Sequence, residues 1–213
     1  MVLTQHTATE NIVKEKPRLS LQYRKIGQDT HTLRSLDWDR SRFDIEFGLR
    51  NGTTYNSFLI RSEKTALLDT SHLKFKEIWF EKLKQEINPI DIDFLIVHHT
   101  EPDHSGLIRY LIELNPNIEI VGSKVAIKFL EDQVHVPFKS RAVKSGDELD
   151  LGSNPISGID HKLEFISAPN LHWPDTIFSF DHGTQILYTC DAFGLHYCSD
   201  KLFDEDPSLL SED

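Results

Sequence analysis

Cysteine is almost absent from this chain of 213 residues: only Cys190 and Cys198 are present. One bridge at most cannot staple a fold of this size, so stability has to come from a packed core, and in a reducing compartment both side chains are expected as ordinary free thiols. Basic residues are in deficit, with 23 Lys and Arg against 34 Asp and Glu and a formal charge of -11. Such a surface repels nucleic acid and anionic membranes alike. No stretch approaches the roughly 18 apolar residues of a membrane span, and the N-terminus lacks the apolar run of a secretion signal. Repeats and low-complexity tracts are missing, as are GxGxxG and GxxxxGK[ST] loops, which removes the usual nucleotide-binding readings. These absences together predict a cytoplasmic protein with no nucleic-acid partner and no membrane span.

What is present is an ordinary apolar share, 38%, enough for a real core. Residues 1–18 read as a polar, flexible leader, and structure is expected over 19–213. Segments 19–26, 30–35, 55–60 and 65–68 have the β-rich, partly alternating look of strands, with Asn51-Gly52 as a turn. Phe75, Ile78, Trp79, Leu83 and Ile87 recur at helical intervals, predicting a helix over 72–87 that Asn88-Pro89 stops. The continuous apolar run 94–97 reads as a buried strand, followed by a helix over 105–114, a strand over 118–121 and a helix over 123–132. Turns and short strands fill 142–157, and strands are expected again at 163–167, 176–180 and 185–189. This order argues for two sheets with helices outside them rather than a doubly wound sheet.

The chemistry gathers where the buried strand ends. His99, Glu101, Asp103 and His104 put four groups able to bind a metal within six positions. Burying them unmatched is costly, and a pair of divalent cations would compensate the carboxylates while using the imidazoles as nitrogen donors. His99 and Glu101, two apart in extended chain, project to one side. Asp103 and His104 diverge after the turn that Pro102 stiffens, which suggests one pair of groups per metal. The bland alternative is a polar loop with Asp103 or Ser105 capping a helix. His98 is set aside, because the i, i+2 relation to Glu101 belongs to His99. Farther along, His172 and Asp191 each follow a strand; loops on one rim can converge, so His172 would complete one shell and Asp191 would bridge through its two oxygens.

The segment His99-Thr100-Glu101-Pro102-Asp103-His104-Ser105-Gly106 resembles the HxExDH motif of the flavodiiron proteins, a branch of the metallo-β-lactamase fold. Leu171-His172-Trp173-Pro174-Asp175-Thr176 is similar to that family's HWPD segment, and Cys190-Asp191-Ala192-Phe193-Gly194 to its DAFG segment. Gly52-Thr53-Thr54-Tyr55-Asn56 and Leu68-Asp69-Thr70 also match, so the likeness runs in one order from Leu33 to His196. It implies an αββα sandwich of two mixed β-sheets flanked by helices. It further implies a di-iron centre in which His99, Glu101 and His172 hold the iron nearer the flavin, Asp103 and His104 hold the other, and Asp191 bridges. Zinc hydrolases of this fold usually carry HxHxDH, so Glu101 argues for iron through a harder, more anionic site.

The resemblance also implies pieces lying elsewhere: a further histidine beyond the DAFG segment, a flavodoxin-like domain with FMN, and a flavin reductase module. The chain is therefore expected to be the N-terminal portion of a longer enzyme, inactive by itself. That enzyme would reduce dioxygen to water with electrons delivered through FMN from reduced pyridine nucleotide, as a head-to-tail homodimer or a heterodimer. Nitric oxide reduction at the same centre and a zinc-dependent hydrolase are the alternatives. Asp44, where many members have a histidine, and the Leu36-Asp37-Trp38 context resemble the diflavin subgroup. Asp44 and His196 are candidates for supporting roles beside the metals.

Overall fold

The structure, a computed structural model, describes residues 18–43 and 47–203. Asp44 lies outside the described residues. The chain opens with β1 (Leu19–Gly27) and β2 (Thr30–Asp37), then a small hairpin, β3 (Arg42–Phe43) and β4 (Phe47–Gly48), before β5 (Thr53–Ile60) and β6 (Ala66–Leu68). Gly52 makes the entry to β5: its φ is +65°, and a Cβ there would lie 2.2 Å from the Asp37 carbonyl oxygen, so the expected turn depends on glycine.

A 3-10 turn at Leu73–Phe75, capped by the His72 side chain, leads into α1 (Lys76–Glu86). The chain then alternates through β7 (Phe94–Val97), the one-turn α2 (Pro102–Ser105), α3 (Ile108–Leu114), β8 (Glu119–Gly122), α4 (Lys124–Val134) and β9 (Lys139–Ala142). Strands β10 (Glu148–Ser153), β11 (Asp160–Ser167), β12 (Ile177–Asp181) and β13 (Ile186–Tyr188) follow. The helix expected over 105–114 begins instead at Ile108, after the separate turn α2, which carries Asp103 and His104. Pro102 pre-sets that turn, and Gly106 follows it so closely against Leu73 that a Cβ would sit 2.9 Å from the Leu73 nitrogen.

Seven strands form a mixed sheet in the order β1-β2-β5-β6-β7-β8-β9, antiparallel up to β6 and parallel from β6 to β9. Four more, β10-β11-β12-β13, form the second sheet. It is antiparallel throughout rather than mixed, because its successive strands are joined without crossovers. One apolar cluster, with Leu33, Leu59, Leu67, Leu95 and Ile120, packs under Trp79, Leu83, Leu111 and Leu130 of the helices. The other, with Ile60, Leu68, Ile96, Val121, Leu163, Phe165 and Ile177, lies between the sheets. This is the sandwich the resemblance implies, and among the described residues its three longer helices all cover the larger sheet. No described helix is long and apolar enough to cross a membrane.

At the end of the sandwich away from the β7 terminus, the sheets are pinned by charge. His161 of β11 is fully buried, with Nδ1 2.8 Å from Asp181 Oδ2 of β12 and Nε2 3.5 Å from Asp29 Oδ2 in the β1–β2 turn. Burial works against the imidazolium, but the hydrogen bond to Asp181 and the two carboxylates outweigh it and raise its pKa. A raised folded value gives stability that is full below the unfolded pKa of about 6.5 and fades as pH climbs through the folded one. Asp181→Ala is expected to cost about 3 kcal/mol in urea unfolding at pH 6, with a smaller loss at alkaline pH, where the wild-type pin is itself weakened.

Candidate metal centre

Parallel strands present all their C-terminal ends to one rim, and the polar residues collect there. β6 delivers Asp69, β7 delivers His98 and His99, the β11–β12 loop carries His172 and Asp175, and β13 runs into Cys190 and Asp191. The loops are tied to one another by backbone and side chain. The Ile177 N–H donates to the His98 carbonyl at 2.9 Å, and the Thr70 N–H to the His104 carbonyl at 2.8 Å. Asp175 Oδ2 accepts both the Thr100 N–H, at 2.8 Å, and the Thr100 hydroxyl, at 2.7 Å, so this carboxylate shapes the turn between His99 and Glu101. The Gln133 amide and the Ser105 hydroxyl donate to the Thr100 carbonyl from the other side.

Within that frame the structure brings His99, Glu101, His104, His172 and Asp191 together. Oδ2 of Asp191 is 3.3 Å from Nε2 of His99 and 3.6 Å from Nε2 of His172, and Oε2 of Glu101 is 2.8 Å from the same His172 nitrogen. Glu101 Oε2 and His99 Nε2 are 3.5 Å apart. Oδ1 of Asp191 faces the other way, 2.9 Å from Nε2 of His104. Asp191 thus addresses two groups of donors, one through each oxygen. Asp103 stands slightly apart, its Oδ2 3.6 Å from His104 Nε2.

His99, Glu101, Asp103 and His104 are buried, whereas His172 is open to solvent and Asp191 half-buried. A cavity of about 270 Å³ opens beside them, lined by Phe43, Thr53, Asp103, His104, His172 and Asp191 among others. His196 lines it too, with Nδ1 3.2 Å from the Thr53 hydroxyl and its ring tilted against Phe43 at a centroid distance of 4.1 Å.

Imidazoles and carboxylates this close shift one another's titration. For His99, burial disfavours the charged ring, yet the Asp191 and Glu101 carboxylates facing Nε2 overcome this and lift its pKa to about 10. His104 is raised against its burial mainly by Asp191. Burial lifts Asp103 to about 6, and the Glu101 and Asp191 charges add to the rise. Asp191 is pulled far down despite burial, by its close contact with His104 and by the positive charges of His104 and His99. His99 Nε2 and Asp103 Oδ1 are buried without a hydrogen-bond partner. Orphaned atoms of this kind call for an explanation, and nitrogen and oxygen donors converging on them are what a divalent cation of intermediate hardness takes.

Sequence reasoning passed over three residues here. His98 is indeed turned away from the cavity: Nδ1 is 2.7 Å from Asp69 Oδ2 and Nε2 is 2.8 Å from the Ser179 hydroxyl, so it bridges the two sheets. Asp69, quoted only as part of a matching segment, accepts both the His98 ring and its N–H and sits in left-handed backbone at φ 55°. Cys190, expected as an ordinary thiol, is free but lies 3.3 Å from Nδ1 of His99 and 3.4 Å from Nδ1 of His104. Its adjacency to Asp191 was the one local signal.

A family model described as ODP family beta lactamase matches residues 53–208. Diflavin flavoprotein A 1 of Synechocystis sp. PCC 6803 is 56% identical over 196 residues, covering 92% of this chain and 33% of its own length. The anaerobic nitric oxide reductase flavorubredoxin of Vibrio vulnificus is 37% identical, over 85% of this chain and 36% of its own. Among solved structures, the metal-soaked Flv1 flavodiiron core from Synechocystis sp. PCC 6803 superposes with a TM-score of 0.83 at 34% identity, over 92% of this chain and 48% of that core. The chain spans about a third of the length of these curated relatives. With the motifs, the fold and the family match in agreement, this chain belongs to the ODP beta-lactamase family and is a domain of flavodiiron type.

Proposed function

We propose that this domain binds two iron ions and serves a longer flavin-dependent oxidoreductase that reduces dioxygen to water. The observation that carries the reading is the two-sided environment of Asp191: one oxygen faces His99, Glu101 and His172, and the other faces His104 beside Asp103. Two ions sharing that carboxylate would each find imidazole and carboxylate donors. Glu101, where an imidazole would favour zinc, makes the first site harder and more anionic. Ferrous ions held there would supply electrons and exchangeable positions for a diatomic ligand, with reduced FMN giving the remaining electrons.

The chain's own residues orient and exclude. Buried His99 and His104 fix one wall, Trp173 stands edge-on to the His99 ring at 6.0 Å, and the open His172 side leaves a route inward. FMN, its head-to-tail partner subunit or a heterodimeric one, and reduced pyridine nucleotide as electron source belong to the longer protein and are part of the same proposal. Nitric oxide reduction is the second reading, favoured by the likeness to a flavorubredoxin named for that activity.

Anaerobic reconstitution with ferrous iron followed by elemental analysis should give two irons per chain; retention of zinc together with esterase turnover would defeat the proposal. In the intact protein, reduced through its flavin, oxygen consumption should outrun nitric oxide consumption, and the reverse order would select the second reading. The pKa of His99 is lifted to about 10 and that of His104 is raised, so both rings bind protons more tightly than a free imidazole, and an incoming ion competes with those protons. Loading at pH 7 in weak buffer should therefore acidify the solution, and apparent affinity should rise with pH between 6 and 9. A pH-independent affinity would contradict this.

A further inference from the structure

A single sulfur touches both buried histidines on the side away from Asp191. Cys190 Sγ lies 3.3 Å from His99 Nδ1, 3.4 Å from His104 Nδ1 and 3.7 Å from Asp69 Oδ2. On the opposite edge of the same rings, His99 Nε2 and His104 Nε2 face Asp191 at 3.3 and 2.9 Å. We propose that Cys190 is a positioning residue that fixes the tautomer and orientation of both rings by accepting their Nδ1 protons. This inference rests on the metal-centre reading above.

An imidazole that gives its Nε2 lone pair to a cation is neutral and carries its proton on Nδ1. Histidines bound to metals nearly always hand that proton to a carboxylate, carbonyl or water, which sets the ring and raises its basicity as a donor. Here, among the described residues, the sulfur is the only hydrogen-bond partner of either Nδ1. Its two lone pairs accept one N–H each, which leaves the S–H to donate to Asp69. Asp69 is in turn held by the His98 N–H at 2.9 Å and the His98 ring at 2.7 Å. The chain of contacts runs from a buried aspartate between the sheets, through one thiol, to two rings whose centroids are 4.5 Å apart.

Sulfur suits this place by its size. N–H···S contacts are several tenths of an ångström longer than the 2.9 Å or so of N–H···O bonds, so a sulfur reaches two rings at once where a hydroxyl oxygen reaches one. Cys190 also adopts left-handed backbone, φ 52°, which a residue other than glycine takes only at some energetic cost. The payoff in geometry is that consecutive side chains serve opposite edges of the same two rings, the thiol at Nδ1 and the Asp191 carboxylate at Nε2.

The test compares wild type, Cys190→Ser and Cys190→Ala in the intact protein loaded anaerobically with cobalt(II) alone. Absorption titration gives stoichiometry and affinity, and the paramagnetically shifted exchangeable imidazole N–H resonances report the tautomers. Wild type should bind two ions and show slowly exchanging N–H signals for His99 and His104. In Cys190→Ala both signals should be lost to fast exchange and affinity should fall about 10–100-fold, while the His172 signal stays unchanged. Cys190→Ser should recover part of the affinity and a single slow N–H. Unchanged affinity and N–H signals in Cys190→Ala, with only a lower melting temperature of the metal-free protein, would make the thiol mere packing and overturn the proposal. Equal defects in the serine and alanine variants would also overturn it. A wild type binding fewer than two ions would sink the metal-centre reading and this inference with it, whereas two ions insensitive to residue 190 would sink the inference alone.

Discussion

Three imidazoles and three carboxylates meet at the rim where β7 and β13 end, and four of the six, His99, Glu101, Asp103 and His104, are buried there. Charges taken out of water at this density repel or attract with little screening, so the arrangement persists only if positive charge balances it. The His99 and His104 rings against Asp191 contribute to that balance, since the carboxylates favour the charged form of both. Metal ions would supply it otherwise, entering where the protons leave. One geometry thus accommodates two sources of positive charge, and the surrounding network works to keep the rings and carboxylates in place through the exchange.

That network is polar and buried, and it joins the sheets rather than a single loop. Asp69, His98 and Ser179 connect the ends of β6 and β7 to β12; Asp175 joins the β11–β12 loop to the turn after β7; Ser123 caps α4 while its hydroxyl donates to the Asp175 carbonyl at 2.8 Å. Each contact satisfies a group that would otherwise be costly to bury, and each fixes one rim element against another. The apolar layer of Leu68, Ile96, Val121, Leu163 and Phe165 below supplies the rigid floor. At the far end His161 plays the same joining part between Asp29 and Asp181.

Elements with a strong period were legible. The run Phe94–Val97 is buried at all four positions because it lies between two parallel neighbours, and α1 and α4 keep their apolar faces on the large sheet. β9 escaped notice because Lys139–Ala142 lies at the sheet edge, is exposed at every position and so carries no alternation to read. The division of the helix after Pro102 was hidden for a different reason. Gly106 packs against Leu73, more than thirty positions earlier in the chain, and no local pattern reports that contact.

By itself the sequence determined the family likeness, the order of the strongly periodic strands and helices and the cluster from His99 to His104, because these rest on residue type and spacing along a continuous stretch. Only the tertiary structure decided that Asp191 turns one oxygen to each group of donors and that Cys190 lies at the Nδ1 edge of two rings rather than being an incidental thiol. Those relations join atoms about 90 positions apart along the chain, and hydrogen bonding at such separations depends on how two sheets pack, which no local periodicity encodes.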